Sequence, residues 1–162
     1  VINGVDGKIY EAVTDGSITF SPDSRRVAYV AEINDEWFVV DDGREGKRFG
    51  SILNVTAEIT FSPDNRRIAY GAEFDTHRYV ILDSIQSAPY REVYSLRFDP
   101  QSKHAAYVAE RDDGRFTVVV DESEGKLYDR IPGHMVRFDP AGRLYYFSLE
   151  GNEIYFVEET IE

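Results

Sequence analysis

Three histidines, His77, His104 and His134, are the side chains of this sequence best suited to move a proton or hold a metal near neutral pH. A zinc centre or a nucleophilic triad needs such groups to converge. These three stand in unrelated local surroundings, and they read as solvated loop histidines. The sequence contains no Cys, which removes thiolate nucleophiles, thiolate metal centres and disulfides. No G-x-S-x-G elbow, H-E-x-x-H pair, phosphate loop or dinucleotide fingerprint is present. Carboxylates stand beside glycine in residues 3–7, 41–46 and 121–125, Asp6 alone in the first. Oxygen-rich loops of that kind suit Ca²⁺, but these lack the alternating spacing of a calcium loop and read as turns. The expectation is a protein without catalytic residues, cofactor or metal.

Recognition chemistry is better represented. Trp37 follows the polar corner Asn34-Asp35-Glu36, and a lone Trp beside a loop is a common interface anchor. His77, Arg78, Arg115 and His134 fall in comparable segments, and with Trp37 they make a mixed aromatic and basic set suited to a protein or peptide partner. The balance of 18 Lys and Arg against 30 Asp and Glu leaves a net charge of −12. So acidic a surface repels phosphate backbones, and a nucleic-acid partner is not expected. No apolar run approaches the length of a membrane span, so membrane insertion is not expected either.

The elements that position these residues repeat. Phe-Ser/Asp-Pro occurs at Phe20-Ser21-Pro22, Phe61-Ser62-Pro63, Phe98-Asp99-Pro100 and Phe138-Asp139-Pro140. The marker phenylalanines are 41, 37 and 40 residues apart. Each is followed by a β-rich run centred on Tyr29, Tyr70, Tyr107 or Tyr146, and by an acidic residue twelve positions on: Glu32, Glu73, Glu110 and Glu150. A third run follows in each unit. A basic-x-aromatic fourth run recurs as Lys8-Ile9-Tyr10, Lys47-Arg48-Phe49 and Lys126-Leu127-Tyr128, with Pro89-Tyr90-Arg91 in the same place. Asp-Gly pairs supply hairpin corners, and no window carries helical periodicity. Four short strands recurring every 40 residues or so describe an all-β chain, a β-propeller of four-stranded antiparallel blades. The repeated tyrosines are expected in the packing between blades, and the marker phenylalanines, with Val27, Ile68 and Leu144, in the core.

The unit FSPDSRRVAYVAEINDEWFVVDDG resembles the blades of TolB-type, WD40-like propellers, and the resemblance runs through the whole chain. It implies four blades in a single domain, near 14–53, 54–93, 94–131 and 132–158. It implies little about function, since similar blades occur in binding proteins and in domains attached to enzymes. The functional expectation is a non-enzymatic binding or scaffold module that uses one propeller face. The alternatives are a propeller domain of a larger, hydrolase-associated enzyme and a small-molecule or sugar binder. Propeller topology places the corners between second and third strands, with the links between blades, on one face; Trp37, His77, Arg78, Arg115 and His134 belong to it. Residues 135–158 lack a fourth strand, and Lys8–Val13 is expected to supply it, within a monomer or across a homodimer that completes the ring. Val1–Asn3 reads as the remnant of a further upstream blade.

Overall fold

The structure, a computed structural model, describes residues 7–53 and 58–161. The expectations placed on Val1–Asn3 and on a link at 54–56 lie outside the described residues. Four antiparallel sheets follow one another along the chain. The first contains β1 (Ala12–Val13), β2 (Thr19–Phe20), β3 (Val27–Ile33), β4 (Glu36–Asp41) and β5 (Arg44–Glu45). The second contains β6 (Ser51–Leu53), β7 (Thr60–Phe61), β8 (Ile68–Phe74), β9 (His77–Leu82) and β10 (Ile85–Gln86). The third contains β11 (Glu92–Phe98), β12 (Ala105–Glu110), β13 (Phe116–Val120) and β14 (Ser123–Tyr128). The last contains β15 (Arg137–Phe138), β16 (Leu144–Glu150) and β17 (Glu153–Glu159). A three-residue 3-10 turn, Pro132–His134, is the helical content of the described residues.

β1 and β2 are two halves of one interrupted strand, pairing Ala12 with Glu32, Val13 with Ala31, Thr19 with Ala28 and Phe20 with Val27. β6 and β7 repeat the arrangement on β8. In the third sheet β11 does the same work continuously, with a bulge between Tyr94 and Arg97. The tight corners carry the turn chemistry expected of them. Asn34 and Asp35 both have positive φ, as do Asp42 and Gly43, which is the backbone of a hairpin turn that follows strand twist.

Side-chain alternation sets how the sheets stack. Phe61, Ile68, Tyr70 and Ala72 face the first sheet, where they bury against Ala28, Val30 and Val39. Tyr107, Ala109 and Val119 likewise meet Val80 and Tyr90 of the second sheet, and Leu144 and Tyr146 meet Ala106, Val108 and Val118 of the third. Each second-strand tyrosine also meets the aromatic that ends the preceding fourth strand. Tyr10 lies 6.1 Å from Tyr29, Tyr90 6.1 Å from Tyr107, and Tyr128 6.0 Å from Tyr146, all edge to face. Phe49 joins Tyr70 in the same core. Tyr70, Tyr107 and Tyr146 therefore lie in the layer between sheets, while Tyr29 packs under Tyr10 on the first sheet.

Two expectations need correction. Lys8–Val13 does not complete the last sheet of its own chain. Ala12 and Val13 pair with β3, Lys8 bridges to Glu45, and Tyr10 packs on Tyr29 and Phe38, so only Ala12–Val13 is a strand of the first sheet and Lys8–Tyr10 lies against it through side chains. β17 keeps an open edge among the described residues, and no buried cluster there joins the first sheet to the last. Nor are the marker phenylalanines equally buried. Phe61 is 7% exposed, Phe98 and Phe138 are half-buried, and Phe20 is 61% exposed. Phe61, Phe98 and Phe138 pack on the preceding sheet, whereas Phe20, at the same register position, has no preceding sheet to meet among the described residues. Val27, paired with Phe20, is half-buried for the same reason, whereas Ile68 and Leu144 are buried.

The Ser-Pro-Asp turn does more than reverse the chain. Ser62 Oγ donates to Asp64 at 2.6 Å and accepts from the Arg67 amide at 2.9 Å, while the Asp64 amide donates to Ser102 of the next unit. Ser21 and Asp23 repeat this, with the Asp23 amide donating to Asn65. The hydroxyl bond from Ser62 holds the Asp64 carboxyl below the usual range, and Ser21 does the same for Asp23. Ser62 is fully buried. Ser62→Ala is expected to cost about 1–3 kcal/mol in denaturant unfolding, because it strands a buried amide; a neutral result would show that the turn stands without its hydroxyl.

Candidate functional site

The corner-and-link rim holds one variable side chain or pair from each unit. The structure does not gather Trp37, His77, Arg78, Arg115 and His134 into one pocket; it distributes them along that rim. Trp37 is half-buried against the core between the first two sheets, and its backbone exchanges hydrogen bonds with Phe49 at 2.9 and 2.8 Å. His134 stacks on Tyr94 at 4.2 Å and on Phe116 at 5.3 Å, closing the core between the last two sheets. Arg78 pairs with Glu73 at 3.3 Å and Glu92 at 3.7 Å, and its backbone pairs with that of Tyr90. Arg115 donates to the Leu127 carbonyl at 3.0 Å. His77 reaches Asp112 of the next unit at 3.4 Å. His104, by contrast, stands at the place of Arg26 and Arg67. It binds Asp121 at 2.9 Å as those arginines bind Asp41 and Asp83, so its task is structural.

The repeated glutamates also pair in different ways. Glu73 and Glu110 bind Arg78 and Arg91 within their own sheets, whereas Glu150 reaches back to Lys126 of the third sheet at 2.7 Å. That leaves one stretch of the rim where the repeat is broken and space opens. Between the second and third sheets lies a cleft of about 350 Å³ lined by Ala88, Pro89, Tyr90, Arg111, Asp112, Asp113 and Glu124.

The sequence explains the opening. Gly-Lys-x-aromatic occurs at 7–10, 46–49 and 125–128, and in the last two the lysine lies over its aromatic ring: Lys47 Nζ is 5.7 Å from the Phe49 centroid and Lys126 Nζ 5.3 Å from that of Tyr128, whereas Lys8 pairs with Glu45. The corresponding segment is Ser87-Ala88-Pro89-Tyr90, so the covering ammonium is missing above Tyr90. Tyr90 donates its hydroxyl to Glu124 at 3.0 Å, and Arg111 binds the other Glu124 oxygen at 3.0 Å. Burial, with Tyr107 and Glu124 alongside, raises the Tyr90 hydroxyl far above the usual phenol range, so it remains a donor. Asp112 is well exposed at the mouth, touched by His77 alone among its described ion-pair partners. Three carboxylates, Arg111 and an aromatic ring thus border a space from which the repeat's own lysine is absent.

The corner 111–115 was legible in sequence as part of this face. Tyr90 and Glu124 were not, since both belong to fourth-strand positions that read as core and turn. The replacement of Lys by Ala88 within an otherwise repeated tetrad is the signal that marks them.

No protein-family model matches the chain, and no curated protein matches it in sequence. Among solved structures it is similar to TolB from Acinetobacter baumannii, at 15% identity and a TM-score of 0.51 over 91% of this chain and 41% of that one. It is also similar to the β-propeller domain of the Trilobed protease from Pyrococcus furiosus, described as having an open velcro topology. There the identity is 14% and the TM-score 0.50, over 91% of this chain and 57% of that one. At such identities the likeness is one of fold alone, that of a β-propeller. The chain spans about half the length of the structures it matches.

Proposed function

We propose that this chain is a non-enzymatic binding module, each sheet acting as a propeller blade, and that it holds an extended peptide segment of a protein partner on the rim between the second and third sheets. The observation that carries this reading is the cleft at Ala88 and Tyr90. A cation on a flexible stem covers the matching ring in two other units, and here the place is open beside Asp112, Asp113 and Glu124. A lysine or arginine side chain of a partner fits that chemistry, gaining an aromatic face and carboxylate neighbours together. His77, Arg78 and Arg115 flank the cleft and give it a polar border. Trp37 and His134, one sheet away on either side, hold the sheets that carry it.

The test uses an array of extended peptides that differ only in a central Lys, Arg, Leu or Glu. Lys- and Arg-centred peptides are expected to be retained, and Ala88→Lys, which restores the repeat's own ammonium, is expected to weaken them tenfold or more while leaving the thermal midpoint unchanged. Equal retention of all four peptides, or unimpaired binding by A88K, would sink the proposal.

The runner-up reading, a propeller domain of a larger enzyme, is favoured by the likeness to a protease's propeller domain. On that reading the same cleft positions a peptide for chemistry carried out elsewhere in the protein, and the array result is unchanged.

A further inference from the structure

The opposite end of the stack, where the marker turns lie, carries a second departure from the repeat. The residue before each marker phenylalanine is Thr19, Thr60, Arg97 and Arg137 in turn. Two threonines give way to two arginines, and both arginines line a single cavity of about 320 Å³ together with Pro63, Phe98, Pro100, Phe138 and Tyr145. The protein has 30 carboxylates, yet no carboxylate side chain lines this cavity. Among the described residues neither arginine forms an ion pair, in a chain where most cations do.

The backbone is arranged to aim at least one of them. The bulge in β11 falls between Tyr94 and Arg97, and it places Ser95 at φ 56°, a left-handed conformation that a serine rarely adopts. From there Ser95 Oγ accepts from Arg97 Nε at 3.3 Å and from the Val136 amide, one residue ahead of Arg137, at 3.4 Å. One hydroxyl thus ties the two arginine-bearing strands together. Bulges that redirect a side chain and strained backbone both concentrate at binding sites. Arg137 sits opposite Tyr145 in the strand register, so a guanidinium and an aromatic ring border the cavity side by side.

We propose that this cavity binds a small organic carboxylate with an apolar, flat body. Paired guanidinium groups recognise a carboxylate through charge-assisted hydrogen bonds, and the Phe98, Phe138, Tyr145 and proline walls take the apolar part. A volume near 300 Å³ is at the small end of ligand sites. The aromatic and proline side chains that share the wall with the two arginines favour such a body over a bare inorganic anion. This site is independent of the peptide cleft, which lies at the other end of the strands.

Phenylacetate, its neutral counterpart benzyl alcohol, and inorganic phosphate are the probes, titrated calorimetrically into the whole chain. Phenylacetate is expected to bind at least tenfold more tightly than either of the others, with affinity falling as KCl is raised. Arg97→Thr and Arg137→Thr install the residues the first two units carry there, so each is compatible with the fold; each is expected to weaken phenylacetate tenfold or more, with the far-ultraviolet circular dichroism spectrum unchanged. Ser95→Ala is expected to weaken it less, through Arg97. Equal binding of benzyl alcohol, phosphate binding as tight as phenylacetate, or R97T and R137T variants that bind as the parent does would each overturn the proposal.

Discussion

Phe61→Ala is expected to lower the free energy of unfolding by about 3–5 kcal/mol, and Phe20→Ala, at the same place in the repeat, by less than about 1 kcal/mol. The difference arises in packing and not in the residue. Phe61 is buried between the first two sheets among Ile68, Tyr70 and Val30, with the Arg26 guanidinium 4.8 Å from its ring centroid. Removing the ring leaves a cavity whose walls are rigid strands, which relax little. Phe20 lies on the outward face of the first sheet and is largely exposed, so alanine there removes little buried surface. Denaturant unfolding of both variants with a common slope checks this. Equal losses would mean that the outward face of the first sheet is covered in solution; a loss below about 1 kcal/mol for F61A would mean the core between the sheets is not where the structure puts it.

The contrast between these two residues also marks how far the sequence was legible. A repeat reports which way a side chain points, because strand alternation and the marker turn recur together. Tyr70, Tyr107 and Tyr146 could be assigned to the layer between sheets on that ground alone, whereas Tyr29 meets only Tyr10 and its own sheet among the described residues. What a repeat does not report is whether a neighbour is there to be faced, which is why Phe20 and Val27 share a pattern with buried partners without sharing their burial. The placement of 8–13 went astray for a related reason. Lys8-Ile9-Tyr10 has the composition of a fourth strand, but Ala12 and Val13 two residues on are the start of a first strand, and their pairing with β3 holds the chain beside the first sheet. A distant edge at β17 had to compete with a partner already adjacent in the chain.

The same logic explains why the candidate sites were only half visible. Trp37 and His134 are unusual residues, yet both are used to pack sheets. The positions that stand out in the structure are ordinary residues in unusual places: Ala88 where lysine recurs, and Arg97 and Arg137 where threonine recurs. Rarity of type points to the first group, and departure from register points to the second. In a repeat fold the second is the better guide, because each repeated position already has a packing role against which a departure can be judged.

Raising the pH from 10 to 12 is expected to remove much of the protein's stability, through the layer of tyrosines between the sheets. Burial pushes the hydroxyls of Tyr70 and Tyr107 up to about 12, because the phenolate would have to form between packed sheets without water. In the unfolded chain the same groups titrate near 10. A group whose acid is retained in the fold stabilises it fully below the unfolded value, and that contribution drains away as pH climbs to the folded value. For each of these two residues it is on the order of 2–3 kcal/mol, a large part of a typical domain's margin. Tyr90 and Tyr146 are raised for the same first reason and add to the effect in the same direction. Phenolate absorbance from the buried tyrosines should therefore rise together with the loss of circular dichroism. Tyr107→Phe removes one ionising group while keeping the ring, and it should move the alkaline midpoint upward. Smooth titration of all eleven tyrosines near pH 10 with the fold intact would show that water reaches the layer between the sheets.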